Sequence, residues 1–229
     1  MKPKKIFLLF GASGRLGLFA SEYFIKHGYD EYYFFSRKPL CALDNEKKFR
    51  CIETKDLIRE ENVIEAFKNV MVDTQAIYCL LNVIGSYNGG TNISNTNYED
   101  WKKLFDVNLN VAFLLAKHFG KLISKTLGGS ICFISARSSF EIEGKRAGYN
   151  ISKNSLNLLV QSLAKEGKEI NLTSHAVAPF VIESQDVYQW ITDKRLIITP
   201  EEICSTINEM FVHPQDYNGQ IIKLPINLL

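Results

Sequence analysis

The segment KKIFLLFGASGRLGLFASEYFIKHG, residues 4–28, predicts a β-strand, a tight turn and an α-helix in that order. The strand is the apolar run at residues 6–10, and the helix carries apolar residues at helical spacing. Between them, Gly11 can adopt backbone angles that other residues avoid, Gly14 lets the main chain approach a ligand, and Gly17 lets helix and strand pack closely. Free N–H groups at the helix start, together with the helix dipole, favour a pyrophosphate. The alternative is a turn with a purely structural role.

Apolar strands and amphipathic helices alternate along the rest of the chain. Continuous apolar strands of this kind indicate a parallel sheet that is covered on both faces. We therefore predict an α/β fold: a single doubly wound (Rossmann) domain over residues 1–229, with a seven-stranded, mainly parallel sheet and helices on both faces. The later strands are predicted at residues 32–36, 49–57, 76–85, 128–136, 172–180 and 220–224, and the later helices at 58–69, 98–125, 149–169 and 199–211, the last with Thr199 as its N-cap and Pro200 as its first residue.

Ligands of doubly wound sheets bind beyond the carboxyl ends of the strands, where the winding reverses. Several glycine, polar and proline residues are predicted at these ends. They are the turn at residues 11–17, Arg37, Asp56, Asn82, Ala136 and Pro179. The predicted site is therefore at this edge of the sheet.

Composition excludes several other classes of protein. A chain of 229 residues with 46% hydrophobic and 23% charged residues is typical of a folded globular protein, and a formal charge of +2 gives no case for nucleic acid or an anionic membrane as partner. The five cysteines are odd in number and form no C-x-x-C pair, which favours reduced thiols in a cytoplasmic protein. The four histidines lack metal-site spacing, so no metal is expected. The apolar run after Lys5 is too short for an export signal, and no run reaches the roughly 20 residues of a membrane helix.

Tyr149 and Lys153 are four residues apart on a predicted helix and therefore share a face. An ammonium close to a phenol favours the phenolate, so we expect a lowered pKa for Tyr149. Such a tyrosine can exchange a proton with a carbonyl or alcohol while a nicotinamide transfers hydride. Tyr98 and Lys102 have the same spacing, but only Tyr149 follows the carboxyl end of a strand across a short loop.

Seven short motifs occur in a characteristic order: GASGRLG at 11–17, the acid–leucine pair at 56–57, NVIG at 82–85, DVNLNVAF at 106–113, YNISK at 149–153, HAVAPFVIES at 175–184 and NGQ at 218–220. In this order they resemble the short-chain dehydrogenase/reductase family over nearly the whole chain. The resemblance implies that Tyr149 is the acid/base, that Lys153 also binds the nicotinamide ribose, and that Asn108 holds a water in the proton relay. The alternative for Asn108 is a polar residue that caps or kinks its helix.

The same resemblance implies an adenine contact at Asp56 and a homodimer or homotetramer built through the helices that contain Asn108 and Tyr149. The residues predicted to bind the cofactor are Gly11, Ser13, Gly14, Arg15, Leu16, Gly17, Ser36, Arg37, Asp56, Leu57, Asn82, Lys153, Pro179, Val181 and Ser184.

Charge at the end of the second strand favours NADPH over NADH. Family members that use NAD usually have an acid there, whereas this chain has Ser36, Arg37 and Lys38. A guanidinium can bind a 2′-phosphate through paired hydrogen bonds, and Arg15 in the glycine turn can add to this. The alternative is that both arginines are solvated loop charges.

The chain departs from the family at the substrate side of the site. Ala136 is where most members have the serine that holds the substrate oxygen, and Ser135, with Ser138 as its alternative, is the candidate catalytic substitute. Reductases that resemble dihydropteridine reductase share the G-x-x-G-x-x-G spacing and lack this serine, which makes a pterin-like substrate or another conjugated C=N or C=O compound conceivable. Phe180 replaces a glycine after Pro179, and Ser184 replaces a threonine that often binds the carboxamide.

Residues 185–199 are predicted to form a short substrate lid, with Tyr188 and Trp190 either contacting substrate or packing the lid. Arg137 is a candidate contact for an anionic substrate. We predict a reductase that uses NADP(H) to reduce a small carbonyl or imine compound by hydride transfer, with Tyr149 as the acid/base. A catalytically silent NADP(H)-binding sensor or assembly subunit is the alternative, which Ala136 and Phe180 motivate.

Overall fold

The computed structural model describes residues 2–38, 48–184 and 186–225. The predictions for Pro39, Cys41 and Gln185, and for the side chain of Trp190, concern positions outside the described residues. The strands of the main sheet are β1 Lys4–Phe10, β2 Glu31–Ser36, β3 Phe49–Glu53, β4 Ala76–Asn82, β5 Gly128–Ile134, β6 Leu172–Pro179 and β9 Ile221–Leu224. These seven strands lie in the order β3-β2-β1-β4-β5-β6-β9, and all neighbours pair in parallel.

Helices cover both faces of this sheet, which confirms the predicted doubly wound α/β fold. Successive side chains of a strand point to opposite faces. In β1, Ile6, Leu8 and Phe10 pack in one core layer, and Phe7 and Leu9 pack in the other. The helices are α1 Arg15–Ile25, α2 Glu60–Lys68, α3 Tyr98–Phe105, α4 Val111–Ile123, α5 Ala147–Glu166, α6 Val187–Trp190 and α7 Pro200–Val212.

The prediction for the start of α7 is confirmed. The Thr199 hydroxyl accepts a hydrogen bond from the Glu202 N–H, and the Glu202 carboxylate accepts one from the Thr199 N–H, which together form a capping box. Pro200 is the first residue of the helix. This arrangement satisfies N–H groups that a helix start otherwise leaves without partners.

Three predicted elements had wrong bounds, and in two of them a side chain turns the backbone soon after the strand ends. β3 ends at Glu53 rather than at residue 57, because the Asp56 carboxylate accepts a hydrogen bond from the Ile58 N–H and closes a turn. β4 ends at Asn82 rather than at residue 85, because the Asn82 side-chain oxygen accepts one from the Ile84 N–H. The predicted helix 98–125 is interrupted by a π-helical segment, Asp106–Asn110.

A small second sheet forms after β6. Strand β7, Val181–Ile182, pairs in parallel with β8, Ile197–Ile198, and α6 lies between them in the chain. Residues 186–199 of the predicted lid therefore return to the carboxyl edge of the main sheet. Among the described residues, no helix combines the length and the apolar character that crossing a membrane requires.

Candidate active site

The glycine turn after β1 brings α1 close to the sheet. Gly11 has a φ of +91°, and the N–H groups of Gly11 and Ala12 both donate to the Phe35 carbonyl oxygen at 3.0 Å. A Cβ atom at Gly17 would be 2.1 Å from the Gly11 carbonyl oxygen. Any side chain at position 17 would therefore separate the helix from the turn, as the sequence predicted.

The start of α1 is open to an anion. Its N-cap is Gly14, and within the described chain no side chain caps it and no acidic residue lies in its first turn. Ser13 is half-buried beside this end, and Arg15 is exposed. The N–H groups of the first turn and the helix dipole therefore favour negative charge at this point.

A cleft of about 600 Å³ opens at the carboxyl edge of the sheet. Six of the predicted site residues line it: Leu16, Ser135, Tyr149, Lys153, Pro179 and Val181. It is also lined by residues that the sequence analysis did not assign to the site, namely Tyr87, Glu141, Glu143 and Arg146. These four belong to the loops after β4 and β5, whose contribution no motif indicated.

Tyr149, on the first turn of α5, is half-buried in this cleft. Its ring packs edge-to-face on Tyr87, with 4.9 Å between the ring centroids. Burial, with a smaller contribution from Tyr87, raises the pKa of Tyr149 to about 12, while Arg146 opposes this rise. The expectation of a lowered pKa was therefore wrong.

Lys153, on which that expectation rested, is bonded to the backbone of β5. Its side chain is buried, and its Nζ donates to the Ile134 carbonyl oxygen at 2.8 Å. Burial lowers the pKa of Lys153 to about 8, so part of the population is uncharged in mildly alkaline solution. Below that pKa the lysine is mainly charged, but the charge that opposes the rise in the Tyr149 pKa is that of Arg146.

Asn108 lies within the π-helical segment and is almost completely buried. Its Oδ1 accepts from the Ser86 N–H at 2.8 Å, and its Nδ2 donates to the Ser86 carbonyl oxygen and to Ser152 Oγ, both at 3.0 Å. A Cβ atom at Gly85 would be 3.2 Å from Lys153 Nζ and 3.4 Å from Asn108 Oδ1. Asn108 therefore anchors the loop that passes Lys153; the water relay stays a prediction.

The serines after β5 have different surroundings. Ser135 Oγ donates to Asn157 Oδ1 at 2.6 Å, so Ser135 lines the cleft but directs its hydroxyl to α5. Ser139 Oγ donates to the Ala136 carbonyl oxygen at 2.6 Å and accepts from Asn157 Nδ2 at 2.8 Å. The hydroxyl oxygen of Ser138 is shielded from solvent and has no hydrogen-bond partner among the described residues.

The predicted residues of the adenosine side lie at the end of β2 and in the turn after β3, outside the described cleft lining. The Ser36 hydroxyl donates to the Lys38 carbonyl oxygen at 2.5 Å, and the Arg37 side chain is exposed. Asp56 is exposed, whereas the Leu57 side chain packs in the core. Any contact of Leu57 with a nucleotide would therefore be made by its backbone.

The side chains of two other residues predicted to contact substrate form hydrogen bonds within the protein. Arg137 Nε donates to Glu141 Oε1 at 2.8 Å and its Nη1 donates to the Pro225 carbonyl oxygen at 3.0 Å, so this arginine fixes the loop rather than presenting itself to an anionic substrate. Tyr188 donates to Glu183 Oε1 at 2.5 Å on the exposed surface. Ser184 is half-buried, and the described lining of the cleft extends from Pro179 to Ile182 without it.

A row of asparagines on α5 was not predicted from the sequence. Asn150 Nδ2 donates to the Glu143 carbonyl oxygen, and Asn154 Nδ2 donates to the Ser139 carbonyl oxygen, both at 3.0 Å. Together with Asn157, they hold the loop at residues 135–143 against the helix. Their spacing of four and three residues marks one helix face and was visible in the sequence.

Comparison with known proteins identifies the family to which this chain belongs. A family model described as enoyl-(acyl carrier protein) reductase matches residues 37–205, which is most of the chain. The 2-dehydro-3-deoxy-D-gluconate 5-dehydrogenase of Pseudoalteromonas atlantica is 30% identical over 148 residues, covering 62% of this chain and 54% of that protein. The chain spans about half the length of the curated relatives it matches.

Two solved structures have the same fold. The structure titled ElxO with NADP bound superposes with a TM-score of 0.85 at 18% identity, covering 96% of this chain and 97% of that one. A 4-hydroxyisoleucine dehydrogenase complexed with NADH gives a TM-score of 0.80 at 21% identity, covering 96% of each chain. With the matching family model, the parallel sheet and the motifs in order, the chain belongs to the short-chain dehydrogenase/reductase family of NAD(P)-dependent oxidoreductases.

Proposed function

We propose that this protein uses NADPH to reduce a small carbonyl or imine compound by hydride transfer, with Tyr149 as the acid/base. One observation carries the proposal: Tyr149 and Lys153 line the same cleft as Leu16 of the glycine-turn helix and Pro179 at the end of β6. A proton donor is therefore combined with the part of the fold that holds a dinucleotide.

The residues present fit such a cofactor. The start of α1 has no capping side chain or acid in the described chain and can accept the pyrophosphate. Gly85 leaves open the space next to Lys153 Nζ and Asn108 Oδ1 that a Cβ atom would fill. Leu16, Pro179 and Val181 offer apolar walls to a planar ring. When bound, NADPH supplies the hydride for the reaction.

The protonation states of Tyr149 and Lys153 in the cleft favour reduction of the substrate. With a pKa of about 12, the Tyr149 phenol is protonated at neutral pH and can donate its proton to the atom of the substrate that becomes negative. Lys153 Nζ, buried in the same cleft, can return a proton to the tyrosine or hold the ribose. Asn108 keeps the Gly85 loop in place while this occurs.

The cofactor preference rests on charge. In place of the acid of NAD-using members, the end of β2 has Ser36 followed by exposed Arg37, and exposed Arg15 begins α1. These cations suit a 2′-phosphate. The fold neighbours include one with NADP and one with NADH, so fold alone favours neither cofactor.

We further propose a single-domain protein that acts in the reducing cytoplasm on a small molecule, with residues 186–199 as a lid and with no need of nucleic acid, membrane or metal. The reducing setting is supported by the free thiols Cys79, Cys132 and Cys204, all buried. The second candidate function is an NADP(H) sensor without turnover. It is favoured by Ala136, which has no hydroxyl to hold a substrate oxygen.

The test is a Tyr149→Phe variant, assayed for NADPH oxidation with quinonoid pterins, quinones and diketones. Because the phenol is the proton donor, we expect turnover to fall by about a hundredfold or more, with NADPH affinity close to that of the wild type. Tyr98→Phe is the matched control, since Tyr98 has the same spacing to a lysine but is exposed on α3. Full turnover in Tyr149→Phe would remove this residue from the mechanism, and wild-type binding of NADPH without turnover of any compound would favour the sensor.

A further inference from the structure

Arg146 is a cation of the cleft that the proposed mechanism does not use. Among the described residues that line the cleft, two have basic side chains, Lys153 and Arg146. Lys153 is buried and its Nζ donates to the Ile134 carbonyl oxygen, whereas the side chain of Arg146 is 32% exposed. Arg146 is therefore the cation of this lining that an incoming substrate can reach.

The guanidinium of Arg146 is held on two sides. Its Nη1 forms an ion pair with Glu143 Oε2 at 2.9 Å, and its Cζ lies over the Tyr87 ring, 5.8 Å from the ring centroid. A guanidinium has several N–H donors in one plane, and the ion pair with Glu143 involves Nη1. The group is thus positioned before substrate binds and retains donors for a second carboxylate.

Two loops that contact each other fix this arrangement. Tyr87 belongs to the loop after β4, and Arg146 is the last residue of the loop after β5. Between these loops, the Gly90 N–H donates to the Lys145 carbonyl oxygen at 2.8 Å. A Cβ atom at Gly89 would be 2.7 Å from Tyr87 Oη and 3.1 Å from Arg146 Cγ. The glycine at position 89 therefore lets the two loops approach closely enough to bring Tyr87 and Arg146 together.

Tyr87 also connects Arg146 to the proposed proton donor. The Tyr87 ring packs edge-to-face on Tyr149, with 4.9 Å between the ring centroids, and Tyr87 is 58% exposed. The charge of Arg146 is close enough to oppose the rise in the Tyr149 pKa. The ring of Tyr87 therefore separates the guanidinium from the position of the reacting carbonyl by about the width of one aromatic ring.

We propose that Arg146 binds a carboxylate at the far end of the substrate while the reacting carbonyl lies at Tyr149. This inference rests on the proposed function and names its substrate class: a carbonyl compound whose carboxylate is about the width of one aromatic ring away from the carbonyl. A carboxylate fits better than a phosphate, because Glu141 and Glu143 also line the cleft and repel a dianion more strongly than a monoanion. Arg146 takes no part in hydride or proton transfer and acts through binding alone.

The test compares 4-carboxybenzaldehyde with its methyl ester, which differ in charge but share the reacting aldehyde. We expect the wild type with NADPH to reduce the acid with a kcat/KM at least about tenfold above that of the ester. In Arg146→Met this ratio should fall to about one, mainly through a higher KM for the acid. Lys145→Met removes an exposed cation one residue away and is the matched control, which should keep the wild-type ratio. A wild type without a preference for the acid, or a preference that survives in Arg146→Met, would overturn the proposal.

Glu143→Gln tests the same contact in the opposite direction. The amide keeps the size of the side chain but removes the carboxylate that competes for Arg146, so the KM for the acid should fall by about threefold or more while that for the ester does not follow. A purely structural role of the ion pair would instead reduce activity toward both compounds. An acid-to-ester ratio that does not rise in this variant would contradict a second carboxylate on the same guanidinium.

Binding separates this inference from the proposed function. Both compounds are titrated into the NADP⁺ complex of the wild type and of Arg146→Met. If the wild type binds the acid more tightly than the ester, the variant binds the two equally and neither is ever reduced, the proposed function fails and the carboxylate contact stands. If the wild type reduces the ester but neither binds the acid more tightly nor reduces it faster, the contact fails and the proposed function stands. A wild type that binds neither compound would overturn the contact as well.

Discussion

The pair Tyr149 and Lys153 illustrates what can be predicted at the scale of single residues. Their spacing in sequence correctly indicated that both side chains reach one site, because residues four apart share a helix face. The direction of the tyrosine pKa shift was not predictable from spacing, since it depends on burial. Likewise, the hydrogen bond of the Ser135 hydroxyl could not be predicted locally, because its acceptor, Asn157, follows Ser135 by 22 residues.

The buried lysine predicts a specific pH dependence of stability. The pKa of Lys153 is about 8 in the folded protein against about 10.5 in the unfolded chain, so between these values the unfolded chain binds more protons. Raising the pH through this window therefore favours the folded state. We expect the free energy of unfolding of the wild type, relative to that of Lys153→Met, to rise by on the order of 2 kcal/mol from about pH 8 to about pH 10.

Urea unfolding of both proteins at a series of pH values measures this difference. The comparison with Lys153→Met cancels the titration of groups that the two proteins share. Below about pH 8 the wild type carries the full cost of a buried ammonium, so the variant should be the more stable of the two. Parallel stability curves for the two proteins would contradict a depressed lysine pKa.

At the scale of helices and strands, the sequence predicted which elements exist better than where they end. The alternation of buried strands and helices identified all seven strands of the main sheet, and the capping residues located the start of α7. The ends of β3 and β4 were wrong because Asp56 and Asn82 bond to backbone N–H groups two residues later. The π-helical interruption contains Asn108, for which a capped or kinked helix was the alternative prediction, but its length and type were not predicted.

The predicted preference for NADPH depends on the positive charge at the end of β2. Replacing Arg37 by Asp puts a carboxylate where NADPH would place its 2′-phosphate, so we expect NADPH affinity to fall at least about tenfold while NADH affinity changes little. Fluorescence titration with each cofactor measures both values. Lys26→Asp, an equal charge change at the exposed opposite end of α1, is the control. Equal losses for the two cofactors in Arg37→Asp would refute a phosphate contact.

At the scale of the whole molecule, two long helices leave apolar side chains on the surface. Phe113 of α4 is 49% exposed, and Ile151 and Leu158 of α5 are 45% and 60% exposed. Ile151 and Leu158 are seven residues apart and so lie on one face of α5. We propose that a second copy of this chain covers this face, in line with the homodimer or homotetramer that the family resemblance implies.

Size-exclusion chromatography with light scattering tests the assembly. The wild type should elute as a dimer or tetramer, and Leu158→Glu should shift it toward monomer because the carboxylate would be buried without a partner. Val212→Glu on α7, a residue also exposed but on another helix, should leave the assembly intact. A monomeric wild type at micromolar concentration would exclude the proposed interface.

The π-helical segment at Asp106–Asn110 limits which sequence changes this part of the chain can tolerate. Such a segment accommodates one residue more than a regular helix would hold over the same length. Deleting one of these five residues would therefore let α3 and α4 continue as one regular helix. The widened turn that brings Asn108 to Ser86 and Ser152 would then be lost. Descendants of this gene are therefore expected to tolerate substitutions of the other four residues of the segment far better than a change in its length.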